Sequence, residues 1–174
     1  EPNITVCRLH TPIATPGFHD DHLELAIPKL QELCAQHAID DYMIWMYTPM
    51  ALPLAQSLDP QLVIYDCMDE LSAFLHAPAQ LLAQEAALLK WADLVFTGGP
   101  SLYRAKRNRH PSVYCFPSSV DAAHFRKART SAEADDLHNI PHPRLGFYGV
   151  IDERVDLELL DAMAQSHPEW QIVM

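Results

Sequence analysis

Residues 62–74 read LVIYDCMDELSAF, and no other stretch constrains the chain as much. Leu62, Val63, Ile64 and Tyr65 form a short, continuous, partly β-branched apolar run. Such a run predicts a strand covered on both faces, as in the parallel sheet of a Rossmann-like α/β domain. Asp66 and Asp69 then stand where that strand ends. In open α/β sheets ligands bind in the crevice outside the carboxyl ends of the strands, so both carboxylates are candidates for catalysis. Asp69, like Ser72, is also of a type that caps a following helix. Asp66 is harder to explain that way.

Elsewhere strands and helices alternate. Residues 4–9 predict a strand, followed by the loop HTPIATPGFHDDH, which Pro12, Pro16 and Gly17 keep irregular. Asp20 or Asp21 would cap a helix over 23–37, with Leu25, Leu30 and Leu33 at roughly helical spacing and Pro28 as a kink or a later start. Residues 42–47 (YMIWMY) predict a second buried strand, and MALPLAQSL a short, proline-interrupted helix. In the helix over 78–91, Leu81, Leu82, Glu85, Leu88 and Leu89 recur with a helical period. Glu85 sits on or beside that stripe. It needs a partner, a function or an outlet to solvent, because a carboxylate buried unpaired costs several kcal/mol. Strands over 94–97 and 112–116 flank a helix over 102–108, with Gly98-Gly99-Pro100-Ser101 as a tight turn lacking phosphate-loop spacing.

Charge and cysteine usage narrow the partners. A net charge of −11, from 12 basic and 23 acidic residues, argues against nucleic acid, which demands a basic surface. The concentrated basic run, Arg104, Lys106, Arg107 and Arg109, reads as a solvated face, with a phosphate or an anionic lipid surface as the alternative. Cys7, Cys34, Cys67 and Cys115 are scattered without a CxxC pair and read as reduced core thiols of a cytoplasmic protein. His19, Asp20, Asp21 and His22 are of metal-ligand types, but adjacent residues cannot all point at one ion, so no metal site is expected. No apolar run approaches the ~18 residues of a membrane-spanning helix.

A change of composition sets the domain organisation. Residues 126–143, RKARTSAEADDLHNIPHP, read as a linker between a domain over 1–125 and the first βαβ unit of a second domain over 144–174. Both ends fall in strand-like runs, so a segment of a longer chain is expected.

Four stretches together resemble glycosyltransferases of the family-4 type, with the two-domain GT-B architecture: YDCMDELSAF after the apolar strand, Glu85 eight residues before the Asp93 of DLVFT, FPSSVDAAHF at the domain crossing, and RLGFYGVIDERVDLELL opening the second domain. The resemblance implies an N-terminal acceptor domain, a C-terminal nucleotide-sugar domain and transfer in the cleft between them, with no metal or further cofactor. It puts Asp66 where the family commonly has a polar catalytic-site residue, often histidine. It maps the turn near the donor diphosphate onto Gly149, Val150 and Arg154, and Glu85 and His10 are further acceptor-side candidates. Two departures stand out: Ser118-Ser119 replaces the family's Asn-Gly, and VIDERVD keeps Arg154 alone of the basic residues. The expected function is transfer of a sugar to a glycan or lipid-linked glycan in envelope or extracellular polysaccharide assembly. The expected place is the cytoplasm, in peripheral contact with the inner face of the membrane, with self-association through the incomplete second domain. A nucleotide-sugar epimerase and a non-catalytic binding domain are the alternatives.

Overall fold

The computed structural model describes residues 4–14, 18 and 20–174. By contact density the chain divides into two compact units, Glu1–Ser118 and Ser119–Met174. The first is a Rossmann-like α/β layer. Its strands β1 (Met43–Met46), β2 (Leu62–Cys67), β3 (Leu94–Thr97) and β4 (Val113–Cys115) form a parallel sheet in the order β1-β2-β3-β4. Helices α2 (Leu52–Gln56), α3 (Leu81–Trp91) and α4 (Pro100–Lys106) make the crossovers, while α1 (Asp20–Gln36) precedes the sheet.

The strand order decides which face is covered. Parallel crossovers are right-handed, so a sheet that always adds its next strand on the same side places every crossover helix on one face. The core has that form. Ile44, Met46, Val63, Tyr65, Cys67, Val95 and Val113 point to one face and pack with Leu52 and Ala55 of α2, Leu88 and Leu89 of α3, and Leu102 of α4. On α3 the buried residues Leu81, Glu85, Leu88 and Leu89 keep the i, i+4, i+7 stripe of an amphipathic helix. The opposite face carries Met43, Trp45 and Tyr114 exposed, with Phe116 just past β4. The expectation of a strand covered on both faces holds for β2, where Val63, Ile64 and Tyr65 are all buried, but helices cover one face of the sheet only, because the crossovers never change direction.

Local chemistry explains most element ends. Thr48 caps the turn after β1, its hydroxyl accepting from the Met50 N–H. Asp93 joins β2 to β3: its carboxylate accepts from the Val63 N–H at 2.8 Å and its own N–H donates to the Val63 carbonyl at 2.9 Å. His110 holds the start of β4, with Nε2 2.9 Å from the Ala92 carbonyl and Nδ1 accepting from the Ser112 N–H. Residues 4–9 form no strand. Their apolar composition permits one and β1 is an edge strand, but this run lies beside α1 and Leu54 instead, with Ile4 and Val6 exposed. Helix α1 begins at Asp20, so Asp20 and Asp21 lie in its first turn, where negative charge suits the helix dipole, and it continues through Pro28.

The second unit is a βαβ arrangement. Strands β5 (Arg144–Gly146) and β6 (Gln171–Val173) pair in parallel across α6 (Leu157–Ser166), whose N-cap Asp156 accepts from the Leu159 N–H at 2.9 Å. The sequence predicted a linker over 126–143, yet helix α5 (Ala122–Arg126) runs straight into a 3₁₀ turn over Lys127–Arg129, and another turn covers Asp135–Leu137. The stretch is anchored within its own unit. Arg144 pairs with Glu133 and donates from Nε to the Ile140 carbonyl at 2.6 Å. Ser118 and Ser119 need no left-handed backbone, since Ala38 is the one non-glycine residue of positive φ among the described residues.

Candidate functional site

Asp66 lies inside β2, one residue before its end, because the strand extends to Cys67 rather than stopping at Tyr65. Alternation turns Tyr65 and Cys67 into the core and Asp66 onto the open face. The β1-β2 register opposes Trp45 to Ile64, which sets Trp45 diagonal to Asp66 on the same face, while β3 sets Phe96 beside it. The indole N–H of Trp45 donates to Asp66 Oδ2 at 3.0 Å. Around this carboxylate the rings form an edge-to-face row: Trp45 to Phe96 at 5.3 Å, Phe96 to Phe116 at 5.1 Å, and Phe96 to Tyr114 at 6.3 Å between centroids. A fixed carboxylate oxygen beside exposed aromatic faces can accept a ligand hydroxyl while apolar surface covers the ligand's C–H groups.

Asp69 does not join Asp66 through a hydrogen bond. It is exposed in the loop after β2, where its backbone carbonyl accepts from the Cys67 thiol at 3.5 Å. It caps no helix either, since Glu70 takes the N-cap position of the 3₁₀ turn Leu71–Ala73 without a side-chain bond.

The polar interior belongs to Glu85. Its side chain is buried on the helical face, where Oε1 accepts from Lys106 Nζ at 2.7 Å and from the Tyr65 hydroxyl at 3.1 Å, and Oε2 from Arg109 Nη1 at 2.9 Å. Lys106, 1% exposed, also donates to both oxygens of Glu70 at 3.0 Å. Two carboxylates and two cations thus pair off, Glu85 and Lys106 buried and Glu70 and Arg109 partly exposed. Burial pushes the Glu85 carboxyl up, but the bonds from Lys106, Arg109 and Tyr65 outweigh it and leave the carboxyl below its ordinary range. Burial likewise pulls Lys106 down, and the bonds to Glu85 and Glu70 leave it above its ordinary value. Burial pushes the Tyr65 phenol well up, and it pushes the Cys67 thiol up too. Glu85 is therefore a structural ion-pair residue rather than an acceptor contact. The basic run is not one solvated face: Arg104 and Arg107 are exposed, but Lys106 is buried and Arg109 is paired.

His10 is also apart from Asp66. It is exposed and lines two grooves of about 460 and 540 Å³ between the first residues, α1 and Leu54 of α2, on the helical side of the sheet. His19 lies outside the described residues, and no group of three or more His, Cys, Asp and Glu arranged to hold a metal occurs among those described. Of the cysteines, Cys67 is buried, Cys34 and Cys115 are half-buried, and Cys7 is exposed, so the expectation of four core thiols fails at Cys7. No helix of the described residues is long and apolar enough to cross a membrane.

In the second unit, Gly149, Val150 and Arg154 lie on the exposed turn between β5 and α6. The Arg154 guanidinium is already engaged by Asp152, with Nη2 to Oδ2 at 2.6 Å and Nε to Oδ1 at 2.9 Å, and these bonds hold the Asp152 carboxyl below its ordinary range. Glu153, Asp156 and Glu158 add further negative charge nearby in sequence.

Sequence reading missed Trp45 and Glu70, and it placed Lys106 on a solvated face although the residue is buried. Trp45 was legible from the period-two alternation Met43, Trp45, Tyr47. Lys106 was legible as the residue one helical turn after Leu102, which packs on the core. No protein-family model, curated protein or solved structure matches the chain.

Proposed function

We propose that this chain forms the acceptor half and the beginning of the donor half of a nucleotide-sugar-dependent glycosyltransferase. The observation that supports the reading best is the Asp66 carboxylate, held by the Trp45 indole and flanked by aromatic rings on the open face of a parallel sheet. A pyranose presents an apolar C–H face and a rim of hydroxyls, which suits a ring surface with one oriented carboxylate. Asp66 takes the proton of the accepting hydroxyl, needing only hydrogen-bond reach to do so. Asp69, in the neighbouring loop, contacts the rest of the acceptor. Gly149 and Val150 approach the donor diphosphate, and the proposed place of action is the inner face of a membrane, on a glycan or lipid-linked glycan.

Asp66→Asn in the intact enzyme is expected to lower turnover by 10²-fold or more, the scale of a lost general base, with unfolding midpoint unchanged. Unchanged turnover would remove Asp66 from the mechanism. A non-catalytic binding domain is the second reading, favoured by the Asp152–Arg154 pair, which leaves the donor turn no net positive charge. Hydrolysis or transfer from radiolabelled nucleotide-sugars by the intact protein separates the two.

A further inference from the structure

We infer that Glu70 and Lys106 form a latch that positions the loop after β2, and with it Asp69. The inference rests on the transferase reading only for the loop's purpose; the latch itself is a matter of geometry. Lys106 stands in the last turn of α4 and its ammonium has three protons. Glu85 Oε1 and the two oxygens of Glu70 accept from it at 2.7, 3.0 and 3.0 Å.

The partners differ in what carries them. Tyr65, Glu85 and Lys106 belong to β2, α3 and α4, the packed elements of the layer, whereas Glu70 belongs to the loop between β2 and the 3₁₀ turn Leu71–Ala73. Its side chain is 39% exposed against 2% for Lys106. Releasing Glu70 therefore returns it to water and leaves Lys106 with Glu85, so neither charge is stranded. Ser72 aims Glu70 by donating to Oε1 at 3.0 Å. The loop's other end lies close against the turn after β3: a Cβ on Gly98 would come within 3.1 Å of the Met68 carbonyl oxygen. Asp69 lies between these two holds, one residue from each.

Amide hydrogen exchange of the whole chain reads the latch without any substrate. Inside the loop, the Ala73, Phe74 and Ala77 amides bond to the carbonyls of Glu70, Leu71 and Phe74 and report its opening. The Asp93 and Val95 amides, bonded to Val63 and Ser112, report the sheet. Glu70→Ala is expected to speed exchange at the three loop amides about fivefold or more, with the sheet amides unchanged, and Glu70→Gln, which keeps one acceptor oxygen, to fall between. Unchanged loop exchange overturns the latch. So does equal acceleration of loop and sheet, which would make Glu70 a general stability residue. Because exchange needs no acceptor, the latch can stand while the Asp66→Asn turnover test fails, and the reverse.

Discussion

Lys106→Met isolates the energetics of the buried cluster. Removing the ammonium leaves the Glu85 carboxylate, 8% exposed in its side chain, with Arg109 and the Tyr65 hydroxyl as remaining donors. Breaking a buried pair from one side costs about 3–5 kcal/mol. With Arg109 still attached, the low end applies, about 3 kcal/mol. Replacing both partners, as Lys106→Met with Glu85→Leu, changes the sum. Arg109 and Glu70 have side chains 41% and 39% exposed and turn to water, so the main residual cost is the Tyr65 hydroxyl left without its acceptor. That costs about 1 kcal/mol. The double variant should therefore be about 2 kcal/mol more stable than the single one. Urea unfolding followed by the fluorescence of Trp45, Trp91 and Trp170 measures both. A single variant losing less than about 1 kcal/mol, or a double variant no more stable than the single, would refute the reasoning.

The same cluster fixes a pH window. Glu85 is depressed from its ordinary 4.5, so its stabilisation is present above that value and is lost as pH falls through the lower folded one. Lys106 is raised from 10.5, so its part is present below that value and is lost as pH rises through the higher folded one. The contribution is flat between, and the double variant should lack both flanks.

Two further outcomes are expected. Gly98→Ala places a methyl 3.1 Å from the Met68 carbonyl oxygen and 3.3 Å from its Cα, so backbone must give way and stability should fall by about 1–2 kcal/mol; an unshifted urea midpoint contradicts the contact. Calorimetric titration of these 174 residues with uridine or guanosine diphosphate should give a Kd weaker than about 10 μM, roughly 7 kcal/mol, because Asp152 already occupies Arg154; tighter binding would mean a complete donor site.

Period and composition determine much of the layer. The runs at 62–65 and 94–97, the stripe of α3 and the βαβ pattern after residue 143 are local properties, since alternation and helical spacing follow from backbone geometry. Glu85 shows where that information stops. Its place on an apolar stripe required a partner, but Lys106 is 21 residues away and Tyr65 20 residues before it, and only the packing of α3 against β2 and α4 brings them together. Asp66 was picked out by its nearness to a strand end, yet its direction was undetermined. A strand that continues two residues further keeps the alternation running, and that puts Asp66 opposite the core and under the Trp45 indole. The openness of that face depends on strand order, a property of the whole sheet that no residue encodes. The fate of residues 4–9 has the same origin: their composition permits a strand, but tertiary packing decides whether such a run pairs with a sheet edge or lies beside a helix.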